Sequence, residues 1–233
     1  MFPTRWHIGV AFVATLAASS VAFAEGVTET RSWKNCAGGE GIWADLRVSG
    51  CSEVIKSGKA EGGDLSKAYY NRGNAQLVKA EYAKAVDDYT QALALKPDDA
   101  DALHERCFAR AVLGQKLEDA LSDCNESLRL SPNDGETLGG RGFVYLRLGF
   151  YRTAILDYDA ALKIKPDAAE LLFGRGMAKV KAGDEESGNA DLVAARKLEP
   201  EIDDRFARYD TASGKGFWAS LMGYWRAAMA WIY

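Results

Sequence analysis

Four prolines, Pro97, Pro132, Pro166 and Pro200, stand 35, 34 and 34 residues apart along this chain of 233 residues. Small residues keep the same beat at Gly73, Cys107, Gly142 and Gly176, and again at Ala85, Ala120, Ala154 and Gly188. A period in the mid-thirties marks a supersecondary unit that cannot bury its apolar face alone and therefore stacks on copies of itself. One extra residue lies between Cys107 and Ala120. The turn Gly114-Gln115-Lys116-Leu117 is where an insertion costs least.

Each unit carries two helical patterns. In the first copy these are Ala68-Tyr69-Tyr70-Asn71-Arg72-Gly73-Asn74-Ala75 and Ala85-Val86-Asp87-Asp88-Tyr89-Thr90-Gln91-Ala92-Leu93. Apolar or small residues recur at steps of three and four, as an amphipathic helix requires. Gly114, Gly149 and Gly183 separate the paired helices in later copies, and proline stops the second helix of each pair. The units span 66–99, 100–134, 135–168 and 169–202.

Composition narrows the function. Lys and Arg total 29 against 33 Asp and Glu, a formal charge of −4, and no basic face for nucleic acid is present. His7 and His104 are the only histidines, which disfavours a histidine-based triad or zinc site. No phosphate-binding loop or nucleophile elbow occurs. The expectation is a non-enzymatic chain without cofactor or metal.

The first residues read as a secretory leader: Arg5, an apolar run from Ile8 to Ala18, then Val21-Ala22-Phe23-Ala24. Cleavage is expected after Ala24, with export to the periplasm. Four cysteines remain, Cys36, Cys51, Cys107 and Cys124, an even number that suits an oxidising compartment and allows three connectivities.

The phased units resemble tetratricopeptide repeats. The third copy matches best, with Leu138-Gly139-Gly140-Arg141-Gly142-Phe143-Val144-Tyr145 followed by Ala154, Tyr158, Ala161 and Pro166 at the family's positions. The departures are Cys107 for the contact glycine, Cys124 for an aromatic and Gly188 for alanine. The resemblance implies an all-α, right-handed superhelical solenoid of about four helix pairs with terminal capping helices and a concave inner surface. It also places Cys107 and Cys124 on facing sides of paired helices, implying a disulfide that pins the second pair. Val48-Ser49-Gly50-Cys51-Ser52-Glu53-Val54-Ile55 echoes Leu121-Ser122-Asp123-Cys124-Asn125-Glu126-Ser127-Leu128. Residues 42–57 are thus read as a single capping helix, its Cys51 tied to Cys36 in a preceding glycine-rich loop. The whole pattern, cap included, looks like exported bacterial members of the family. The expected organisation is a leader (1–24), a disulfide-bonded cap and linker (25–64), repeats with an end-cap helix (65–210) and a tail (211–233).

Two rows of charge follow the beat: Arg72, Arg106, Arg141 and Arg175, and Asp88, Asp123, Asp157 and Asp191. They form either an internal ladder of ion pairs or two separate solvated rows.

By the family's register the concave face includes Tyr70, Asn71, Asn74, His104, Glu105, Phe108, Phe143, Arg147, Phe173, Met177 and Lys181. Asn74, Phe108, Phe143 and Met177 share one place in successive repeats, and Gly139, Gly140 and Gly174 leave room beside them. The implied ligand is a protein or peptide segment with apolar anchors. Chaperone-binding members clamp a terminal carboxylate with Lys and Asn; Asn74 matches but the lysines do not, which argues against that ligand.

Residues 201–210 read as a solvating end helix, with Phe206 and Tyr209 able to close the last repeat, and 211–216 as a flexible joint. The tail after it holds Phe217, Trp218, Leu221, Trp225 and Trp231 and suits a membrane surface, a second copy of the chain or the solenoid groove. A periplasmic adaptor holding partners on its inner surface is the first functional reading. A membrane-associated envelope factor acting through the tail is the second.

Overall fold

The computed structural model describes residues 30–213, which form eleven helices with no strand among the described residues. The leader at 1–24 lies outside them, as do Phe217, Trp218, Leu221, Trp225 and Trp231. Residues 30–37 (α1) and α2 (Ala44–Ser57) make one hairpin. Four more pairs follow: α3 (Gly62–Val78) with α4 (Tyr82–Leu95), α5 (Ala100–Leu113) with α6 (Leu117–Leu130), α7 (Gly135–Leu148) with α8 (Tyr151–Ile164), and α9 (Ala169–Ala182) with α10 (Glu185–Leu198). A last helix, α11 (Ile202–Ser213), ends the described chain.

Local chemistry sets these boundaries. The Asp99, Asp134 and Asp184 side chains accept from backbone N–H groups in the first turns of α5, α7 and α10. Gly114, Gly149 and Gly183 close α5, α7 and α9 with φ of 63°, 82° and 94°, a region where a Cβ is costly. The longer turn of the second repeat is where the beat places it. Lys116 there takes φ 50°, a second left-handed residue that lets the chain regain phase before α6.

The small residues on the beat are where paired helices touch. A Cβ on Gly73 would sit 2.7 Å from the Tyr89 ring, and one on Gly142 would sit 3.2 Å from Tyr158. Tyr158 also leans on the next repeat, since a Cβ on Gly174 would lie 2.4 Å from it. One buried tyrosine therefore locks two consecutive repeats. In the second repeat this contact is covalent: Cys107 and Cys124 are bonded, with Cα atoms 5.5 Å apart.

The charge rows form a ladder. Asp88 takes two hydrogen bonds of 2.7 Å from Arg72, and the same fork joins Arg106–Asp123, Arg141–Asp157 and Arg175–Asp191. Each arginine then spends its remaining Nη1 on the preceding helix pair. The acceptors are Ser52, Thr90, Asn125 and Asp159. Every rung thus holds its own pair together and ties it to the previous one.

The cap departs from the expected single helix. Cys36 lies in α1, not in a loop, and its bond to Cys51 joins two packed helices. Gly50, which stands where the repeats carry aspartate, makes this possible: a Cβ there would meet the Asn35 Cβ at 2.6 Å and the Ser32 carbonyl at 2.8 Å. Ser32 also donates to Glu53. The cap is a shortened copy of the repeat, with a disulfide at the same place as in the second pair.

Candidate functional site

The first helices of the pairs, α3, α5, α7 and α9, line the concave side, and α11 lies inside it. After Pro200 the chain reaches the position of a further first helix, but no second helix follows among the described residues to hold that register. The apolar edge of α11 turns into the groove instead. Ile202 is fully buried, and Phe206 stacks on Phe173 with centroids 4.5 Å apart and meets Phe143 at 6.4 Å. Tyr209 reaches farther, to Phe143 (6.1 Å), Phe108 (5.7 Å) and Tyr82 of α4 (6.3 Å). The helix runs through Thr211 and Ala212 to Ser213, the last described residue, into the stretch expected to be a joint.

The residues expected on this face fall into three groups. Phe143, Phe173 and Met177 are buried, and Phe206 covers both phenylalanines. Asn71 is buried too, and Asn74 accepts a hydrogen bond of 2.7 Å from the Tyr89 hydroxyl. Arg147 lies over the Phe143 ring and donates to the Val112 carbonyl at 3.3 Å. Tyr70, His104, Glu105 and Phe108 are half-buried, and Lys181 is exposed. Two of the glycines that leave room on this face are filled from within. The empty side of Gly139 receives Leu171, and that of Gly174 receives Tyr158.

Between α5, α7, α9 and α11 a cavity of about 260 Å³ remains. Gly139 and Gly140 line its α7 side, Phe108, Phe143, Phe206 and Tyr209 give it aromatic walls, and His104 and Glu105 bring polar groups to it. Burial, followed by the charges of Glu136 and Asp101, pushes the Glu105 carboxyl up to about 7. Burial holds the His104 imidazole below its ordinary range, and its Nδ1 is buried without a hydrogen-bond partner. Burial also pushes the Tyr209 hydroxyl up to about 12. His104 and Glu105 were legible from register; the walls from α11 were not. The signal available was the three-residue spacing of Phe206 and Tyr209, which puts both rings on one helix face.

Among the described residues no helix is long and apolar enough to cross a membrane, and no cluster of side chains suited to a metal ion occurs.

The tetratricopeptide repeat family matches residues 66–99. Solved structures share the fold at low identity. MamA (41-end) from Desulfovibrio magneticus RS-1 is 16% identical with a TM-score of 0.59, covering 77% of this chain and 95% of that one. TTC0263, a thermophilic TPR protein in Thermus thermophilus, is 19% identical with a TM-score of 0.57, covering 84% and 96%. YrrB, described as a TPR protein with an unusual peptide-binding site, is 21% identical with a TM-score of 0.52, covering 68% and 79%. No curated protein matches the chain.

Proposed function

This chain is a tetratricopeptide-repeat protein, and on that premise we propose that it is a non-enzymatic scaffold of the bacterial periplasm that holds a partner protein segment on its concave face. The observation that carries the reading is the opening left beside α11. There half-buried Glu105 and Phe108 line a cavity large enough for a side chain, and half-buried Tyr70 stands on α3, the preceding first helix. The peptide-binding site named for YrrB, a protein of the same fold, supports a peptide as the class of ligand. Two disulfides, together with the leader read in the sequence, support an oxidising destination. The repeated arginines and aspartates bind one another along the solenoid, which supports a structural use for them rather than a chemical one.

The test is site-specific photocrosslinking in intact cells. A photoreactive residue at Tyr70, on the concave side, should capture a partner that the same residue at exposed Leu156 on α8 does not. Equal capture at both places, or capture at Leu156 alone, contradicts concave-face binding.

A further inference from the structure

The polar groups of the cavity share one deficiency. Glu105 makes no hydrogen bond or ion pair with any described residue, and only other carboxylates, Glu136 and Asp101, act on it electrostatically. The cations on the rim are engaged elsewhere. Lys165 holds Glu136, while Arg205 donates to Glu199 at 2.8 Å and lies 3.5 Å from Glu170. His104, kept neutral by burial, offers a second acceptor through its unpartnered Nδ1. A carboxylate and an imidazole acceptor set beside aromatic rings complement one kind of guest. It is a cation with several N–H donors, carried on an apolar stem. The Arg205 Nε, buried without an acceptor, adds a donor for a carbonyl of the segment that carries the stem.

We propose that this cavity receives a lysine or arginine side chain of a partner segment, its charged head against Glu105 and His104 and its stem along Phe108 and Tyr209. This rests on the scaffold reading and specifies it: the partner carries a basic anchor, where chaperone-type tetratricopeptide clamps take a carboxylate. A neutral side chain of the same length fills the space and leaves both acceptors unpaired, and burying an unpaired polar group is what makes such sites selective.

NMR titration of the full chain with N-acetyl-lysine methylamide, and with N-acetyl-norleucine methylamide as the uncharged counterpart, tests this. Saturable shifts at His104, Phe108 and Tyr209 are expected, with the lysine probe bound about tenfold more tightly. Glu105→Gln should weaken the lysine probe about fivefold or more and leave the norleucine probe unchanged. Glu126→Gln, on exposed α6, should alter neither. Equal binding of the two probes, lysine binding indifferent to Glu105→Gln, or no saturable shift at these residues overturns the assignment. If position 70 still captures a partner while the lysine probe fails, the cavity assignment falls and the scaffold stands. If position 70 captures nothing beyond the α8 control, the scaffold falls whatever the probe does.

Discussion

Glu105 is costly to the fold where it stands. Its carboxyl, pushed up to about 7 in the folded chain, ionises near 4.5 once unfolded. Between those values the native state keeps a proton that the unfolded state releases, so stability falls as pH rises through that window. Glu105→Gln removes the dependence. Thermal and denaturant melts should show the variant about 2–3 kcal/mol more stable than the parent at pH 8, with the gain gone by pH 4. The carboxylates of the ladder, by contrast, each have an arginine partner. Arg141 grips Asp157, whose side chain is only 10% exposed, and also reaches Asn125 in the preceding pair. Arg141→Ala leaves a nearly buried carboxylate without its fork and should cost about 2–4 kcal/mol in urea unfolding. A loss within a few tenths would instead show that the two charge rows act as independent, solvated sets.

The helices and their pairing were legible because each boundary has a local cause. Capping aspartates open α5, α7 and α10, left-handed glycines close α5, α7 and α9, and small residues mark the crossings. The second disulfide sits where those crossings put facing positions. Replacing both Cys107 and Cys124 by alanine should lower stability by about 3 kcal/mol, the loop-closure value for a separation of 17 residues, and leave the far-UV CD helical. Two elements were not legible. Helix α1 is short and precedes Gly38, Gly39 and Gly41, all at positive φ, so a loop was the natural reading of a segment that is in fact half of a hairpin. Helix α11 sits in the register of another repeat, yet Asp210 stands where the contact glycine would be and no second helix follows among the described residues. Its aromatic face therefore finds the groove. Which partner an amphipathic helix chooses is a tertiary decision that periodicity alone does not encode. Phe206→Ala, at a side chain 6% exposed between Phe143 and Phe173, should cost about 3–4 kcal/mol. A helix merely resting on the last repeat would lose far less.

Taken whole, the molecule is a solenoid that partly fills its own groove. A shortened repeat closes one end with a disulfide, and four ion-paired hairpins carry the curve, three fitted by a glycine at the crossing and the second by its disulfide. The last helix crosses the inner face from α9 as far as α4. Register alone assigned the concave stripe to a partner; the fold gives its C-terminal half to Phe206 and Tyr209 and leaves an opening around Glu105. The most direct test is an aromatic NOE measurement on the full chain in solution. Cross-peaks from the Tyr209 ring to the Phe108 and Phe143 rings are predicted, because their centroids lie 5.7 and 6.1 Å away. Absence of those cross-peaks, with random-coil shifts over Ile202–Ser213, would contradict the self-filled groove and with it the cavity built against α11.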